Sequence, residues 1–128
     1  MARAKTRTTS NTHTVVQDDD QLGQIRFIGS DGTNYVQGAR IESLVDGTPG
    51  SNDMPGRLVL STTADGGSSP TERLHILSGG QVNIGGNYTQ TTYTMQVTGT
   101  LNATGNITQN GTALATTCLL YTSPSPRD

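Results

Sequence analysis

The sequence predicts an all-β, elongated and repetitive fold with no significant helix, and three observations predict it. From Thr94 to Ala113 the chain alternates without a break. Met95, Val97, Gly99, Leu101, Ala103, Gly105, Ile107, Gly111 and Ala113 share one parity with Gln109, and the other parity is wholly Thr, Asn and Gln. A period of two is that of a strand with one buried face. Second, Thr, which is β-branched, dominates the last third, and no segment carries a helical period with caps. Third, the 128 residues are only 30% hydrophobic, with one Phe and no Trp. Leu, Ile, Val and Phe make up about a fifth of the chain, near the level at which a packed core becomes doubtful. Disorder couples low hydrophobicity to high net charge, yet the net charge here is -2. The remaining solution is a chain that buries its apolar stripe against copies of itself.

The elements follow in order. Residues 1–20 are a polar segment with a short β-like piece at His13 to Gln17, closed by Asp18-Asp19-Asp20. Leu22 to Gly29 alternates, with Ile25 and Phe27 on one side. The Asp31-Gly32 pair that follows is a strong hairpin signal. Tyr35 to Val45 is a second strand, with Ala39, Ile41, Ser43 and Val45 on one face. Asp46 to Gly56 holds two prolines and three glycines and is a loop. Arg57 to Thr63 is a third strand, ended by Ala64-Asp65-Gly66-Gly67. Glu72 to Leu77 is a fourth, with Leu74 and Ile76 together. Gly79-Gly80 breaks it, and Val82 and Ile84 continue the parity. Residues 21–86 form one β-rich module. Residues 87–117 form a Thr/Asn/Gly-rich stripe whose glycines recur every sixth residue at Gly99, Gly105 and Gly111. Extended throughout, the stretch 94–113 would span roughly 65 Å. Glycine costs roughly 0.5–1 kcal/mol relative to Ala, so its repetition points to places where the backbone bends or closely approaches a neighbour.

The last eleven residues, Cys118 to Asp128, break every earlier pattern and hold the sole Cys. They resemble the translation of a transposase-type sequencing adapter across all eleven codons. The authentic chain is therefore expected to end at Thr117, with the parent protein continuing beyond it, and Cys118 carries no redox or metal information.

Three blocks are recognisable. They are Gly23-Gln-Ile-Arg-Phe-Ile-Gly-Ser-Asp-Gly-Thr-Asn-Tyr35, the run Val45 to Gly66 containing Gly56-Arg-Leu-Val-Leu-Ser-Thr-Thr-Ala-Asp-Gly, and Ser69-Pro-Thr-Glu-Arg-Leu-His-Ile-Leu-Ser-Gly-Gly-Gln-Val-Asn-Ile-Gly85. Together they resemble the shaft region of tailed-bacteriophage tail fibres over roughly residues 13–86, and the stripe resembles the Thr-Gly-Asn-Ile-Thr tracts that follow such blocks. The resemblance implies a homotrimeric β-rich fibre in the virion, made in the host cytoplasm. Its partners would be itself, other virion tail proteins and, through parts outside this chain, a bacterial surface glycan. It also implies a downstream self-cleaving chaperone domain, none of whose catalytic residues matches a position here. Met1-Ala-Arg-Ala-Lys resembles the end of a preceding strand, so the N-terminus too is expected to be truncated. The expected trimer core is Leu74, Ile76, Val82, Ile84, Met95, Val97, Leu101 and Ile107. A glycan-binding module of a phage or bacterial surface adhesin is the alternative reading; it would use exposed aromatics among Phe27, Tyr35, Tyr88 and Tyr93.

Other chemistries find little support. His13 and His75 are far apart and lack a companion cysteine, whereas zinc needs three or four convergent ligands. His75 lies opposite Leu74 and Ile76 and is expected on an exposed face. Asp18-Asp19-Asp20 lacks the spacing of a calcium loop and reads as a solvated charge run. Asp46, Asp53 and Asp65 sit in Gly/Pro/Ser loops where aspartate is ordinary turn chemistry, so no glycosidase pair is assigned. No Gly-x-Ser-x-Gly elbow occurs, and neither Gly79-Gly80 nor Gly85-Gly86 opens a helix that could cradle phosphate. No catalytic residue, metal ligand or cofactor is expected. No apolar run approaches the roughly 20 residues of a membrane helix, and basic residues do not outnumber acidic ones, so neither membrane nor nucleic acid is an expected partner.

Overall fold

The computed structural model describes residues 13–113. Residues 1–12 and the stretch Cys118–Asp128 with its adapter-like sequence lie outside the described residues. Six strands form one sheet in sequence order: β1 Gln21–Ser30, β2 Tyr35–Val45, β3 Gly56–Thr62, β4 Thr71–Ile76, β5 Val82–Ile84 and β6 Met95–Val97. β1 to β5 are antiparallel neighbours, and β6 adds parallel to β5. A separate hairpin, β7 Thr108–Gln109 and β8 Thr112–Ala113, follows. All described secondary structure is β, as the composition and alternation require.

Register decides what each face carries. Ile25, Ile41, Leu60, Leu74, Ile84 and Val97 stand directly opposite one another across all six strands. A second row on the same face runs Gly23, Ser43, Leu58, Ile76, Val82 and Met95. Because side chains alternate, the other face carries Gln24, Glu42, Val59, His75, Asn83 and Gln96 in one row and Arg26, Arg40, Ser61 and Glu72 in another.

The sheet is inside out relative to ordinary burial. On the polar face Val59, Ser61 and Asn83 are essentially inaccessible and Glu42 is buried. On the apolar face Ile25 is 59% and Met95 58% exposed. A half-buried sheet in a monomer turns its apolar face inward, whereas this chain leaves much of its apolar face only partly covered.

The stripe departs from its expected form. Of the residues 94–113, only Met95–Val97 joins the sheet, and residues 98–107 form turns and irregular backbone before the small hairpin. The twenty-residue extended run is therefore broken. Gly99 adopts φ +139°, and Asn110 and Gly111 adopt +52° and +81°. With both central residues at positive φ, Asn110-Gly111 makes the two-residue turn that joins β7 to β8. An unpaired strand leaves its backbone polar groups without a ladder, and these residues release it into bends. Gly99, Gly105 and Gly111 have open space where a Cβ would stand, so within one chain their role is bending, not close approach. The sheet also continues past residue 86, since β6 is its last strand. His13 to Gln17 is not a strand, although Val16 is buried.

Close approach is real at Gly85, where β5 turns into its crossover. It sits at φ +80°, and a Cβ there would lie 2.6 Å from the carbonyl oxygen of Thr98. Its N–H donates to the Arg73 carbonyl at 3.0 Å. Gly85→Ala combines a left-handed conformation costing about 1–2 kcal/mol with that backbone clash. It is expected to lower the melting temperature by at least about 5 °C in a circular-dichroism melt; an unchanged midpoint would show that the β5–β6 junction is not held as described.

Candidate functional site

Two surfaces merit attention: the covered polar face and the partly covered apolar one. The ten residues between β5 and β6, Gly85 to Thr94, fold over the polar face. Asn83 holds them from below. Its Nδ2 donates to the carbonyls of Tyr88 and Gln90 at 3.3 and 3.1 Å, and its Oδ1 accepts from Gln90 Nε2 at 2.6 Å. Gln90 closes its own turn through Tyr93, donating to the Tyr93 carbonyl at 3.0 Å and accepting from the Tyr93 N–H at 3.0 Å. Tyr88 lies flat on His75, ring centroids 4.1 Å apart and 15° from parallel, and its hydroxyl donates to the Glu72 carbonyl at 2.7 Å. His75 Nε2 meets Glu72 Oε2 at 3.0 Å. His75 is thus on the face opposite Leu74 and Ile76, as its parity requires, but it is 7% exposed. The expectation of an exposed histidine is corrected: the crossover covers it.

The aspartate run also has defined partners and is not a freely solvated charge run. Asp18 Oδ1 accepts from Gly47 N at 2.8 Å, Asp20 Oδ2 accepts from Gln17 N at 2.9 Å, and Asp19 pairs with Arg57. Backbone bonds from Asp19 N to the Val45 carbonyl and from Val45 N to the Asp20 carbonyl dock the segment beside β2. Arg57 also donates to Asp46 Oδ1 at 3.3 Å and to the Val45 carbonyl at 3.2 Å, while Asp46 Oδ2 accepts from Ser78 N at 2.7 Å. Arg57 therefore ties residues 17–20, the end of β2 and the β4–β5 turn together.

Between this clasp and the crossover lies a cleft of about 710 Å³, lined among others by Asp19, Asp46, Arg57, Glu72, His75 and Tyr88. Burial would raise the Asp46 carboxyl, but the Ser78 N–H and the Arg57 guanidinium outweigh it and hold the group below the ordinary aspartate value. Asp46 is accordingly an ion-pair partner and a poor proton donor. Among the described residues no group of three or more His, Cys, Asp or Glu is placed to hold a metal ion, and no helix is long and apolar enough to cross a membrane.

The expected core residues divide. Leu74, Ile76, Val82, Ile84, Met95 and Val97 share the apolar face in two adjoining rows. Leu101 and Ile107 stand beyond the sheet, 66% and 47% exposed. The structure adds Ile25, Ile41, Leu58 and Leu60 to the face, four residues whose parity was readable from the alternation of β1 to β3.

No protein-family model and no curated protein matches the chain. Among solved structures it is similar to the carboxy-terminal domain of the bacteriophage T5 L-shaped tail fibre with its intramolecular chaperone domain. The TM-score is 0.57 at 17% identity, over 95% of this chain and 29% of that one. The likeness is one of fold, and this chain spans under a third of that structure's length.

The Arg57 clasp has a pH signature. Asp46 has its folded value below the unfolded one, near 3.9. Its contribution is thus complete above that value and is lost as pH falls through the folded one. Asp46→Asn is expected to cost on the order of 1–2 kcal/mol at pH 7 and progressively less below pH 4. Urea midpoints measured at both pH values check this; an equal deficit at each would remove Asp46 from the acid response.

Proposed function

We propose that this chain is a length of the shaft of a bacteriophage tail fibre, a structural virion protein built from three copies of itself. The observation that carries the proposal is the partly covered apolar face. None of the charged residues in β1 to β6 (Arg26, Arg40, Glu42, Arg57, Glu72 and Arg73) stands in the two apolar rows; Glu72 is brought opposite Ser61 by a register shift that leaves Arg73 unpaired in the ladder. A large exposed apolar patch on a polar chain marks an interaction surface. A surface made only of Ile, Leu, Val, Met, Ser and Gly is matched by another like it. Three such faces turned toward a common axis supply the core that one copy lacks. The likeness to a tail-fibre domain supports the same reading at the level of fold.

In this arrangement Leu74, Ile76, Val82, Ile84, Met95 and Val97 line the axis with Ile25, Ile41, Leu58 and Leu60. The polar faces, with their crossovers and clasps, turn outward. Other virion tail proteins hold the ends of the fibre, and contact with a bacterial surface glycan belongs to parts of the fibre beyond this chain. The function is mechanical: the shaft holds host-recognition elements at a distance and transmits their engagement to the virion.

Sedimentation equilibrium tests the proposal. The chain is expected to be trimeric, and Ile84→Asp, placing three carboxylates on the axis, to weaken assembly by at least two orders of magnitude, about 3 kcal/mol. A chain that stays monomeric at about 100 μM, well above the roughly micromolar range of an 8 kcal/mol association, or an unaffected Ile84→Asp trimer, would overturn it.

A further inference from the structure

The end of the β1–β2 hairpin has no place in the sheet. β3 begins to pair with β2 only at Ala39, so Tyr35 to Gly38 and the opposing Ile28 to Ser30 form a two-stranded arm that projects beyond the other strands. Two strands alone are marginal in water, yet this arm is well defined at both ends. At its base Thr63 donates its N–H to the Gly38 carbonyl at 2.8 Å and its hydroxyl to the Gln37 carbonyl at 2.6 Å. At its tip the Asp31 carboxylate accepts the N–H groups of Thr33 and Asn34 at 2.7 and 2.6 Å, and Ser30 Oγ accepts that of Gly32 at 3.2 Å. Between these anchors Val36 and Gln37 are half-buried, but large apolar side chains stay uncovered. Tyr35 is 87% exposed and Ile28 56%, and Phe27 at the base is 52% exposed. A register shift between Phe27 and Ile28, with Gly38 as the extra residue of β2, re-aims the arm relative to the sheet.

We propose that this arm is an intermolecular clasp that seats Ile28 and Tyr35 against a neighbouring copy of the chain, outside the rows that pack on the axis. The inference rests on the trimeric reading above and goes beyond it by assigning a contact outside the axial rows. Two arguments select a second copy as the occupant. The first is charge. The arm carries only Asp31, whose carboxylate is already satisfied by its own turn, so it offers a neighbouring copy an uncharged surface. The second is area. Six strands about 4.8 Å apart, two rows deep, offer on the order of 400–500 Å² per copy. A stable interface buries about 800 Å² per partner, so the face alone falls short. An aromatic side chain contributes roughly 150–250 Å², and Tyr35 with Ile28 brings the total close to what is needed.

The full chain tests this through two readouts. Sedimentation equilibrium compares the wild type with Ile28→Asp/Tyr35→Asp, and nitration by tetranitromethane followed by mass spectrometry reports access to Tyr35. The expected results are association weakened at least tenfold in the double variant, and Tyr35 protected in the oligomer but reactive on dilution to monomer. Tyr35→Ser serves as a milder second variant, and wild-type nitration decides the matter without any substitution. If the wild type assembles, the double variant assembles equally well and Tyr35 reacts freely in the oligomer, the arm is free for some other partner: the clasp is overturned while the trimer stands. A wild type that stays monomeric at every concentration overturns both.

Discussion

The structure depends on cross-strand register. Six apolar residues meet in one row from Ile25 to Val97 only because every strand pair is aligned to the residue. A slip of one position in any pair would send its apolar set to the opposite face. The alignment is enforced locally, by the Asp31-Gly32 turn between β1 and β2 and by the Gly80 turn between β4 and β5. In the latter, Leu77 N bonds the Gln81 carbonyl and Gly80 N bonds the Leu77 carbonyl, each at 2.9 Å. Register thus concentrates the apolar residues on one surface without supplying anything to cover it.

The polar face solves a different problem. Buried polar groups are costly unless hydrogen-bonded, and here Asn83, Glu42 and His75 have partners from their own chain, while the Ser61 hydroxyl and Arg40 Nε have none among the described residues. Asn83 has three bonds to the crossover, Glu42 meets both Arg40 at 2.7 Å and Gln21 at 3.0 Å, and His75 is enclosed between Glu72 and Tyr88. A sheet face of this kind is specific: it accepts one covering segment, the one whose amides and carbonyls match. The apolar face has no such selectivity built into one copy.

Much of the fold was legible. The bounds of β1 to β4 lie within one residue of those read from alternation and turn residues, and six of the eight expected core residues share a face because parity is local information. What was missed is non-local or masked by a stronger pattern. The parallel return of β6 depends on Gly85 and on Asn83 reaching Gln90, contacts that no periodicity announces. The burial of His75 follows from Tyr88 folding back over it, thirteen positions along the chain. Asp18 to Asp20 looked solvated because Arg57 and Gly47, their partners, are distant in sequence. The β7–β8 hairpin is legible in Asn110-Gly111, a strong two-residue turn signal, but the longer alternation around it hides the turn.

The parallel placement of β6 has a consequence for a chain under load. Antiparallel neighbours joined by a short turn present both free ends at one edge, so a pull along the chain parts them like a zipper, one bond at a time. A parallel pair joined by a crossover has its outer ends at opposite edges, so the same pull slides β6 along β5 and loads their bonds together. Val82 N to the Thr94 carbonyl and Thr98 N to the Ile84 carbonyl, both 2.8 Å, bracket that joint. The shortest strands in the sheet are therefore set in shear, the orientation in which a few hydrogen bonds resist tension best.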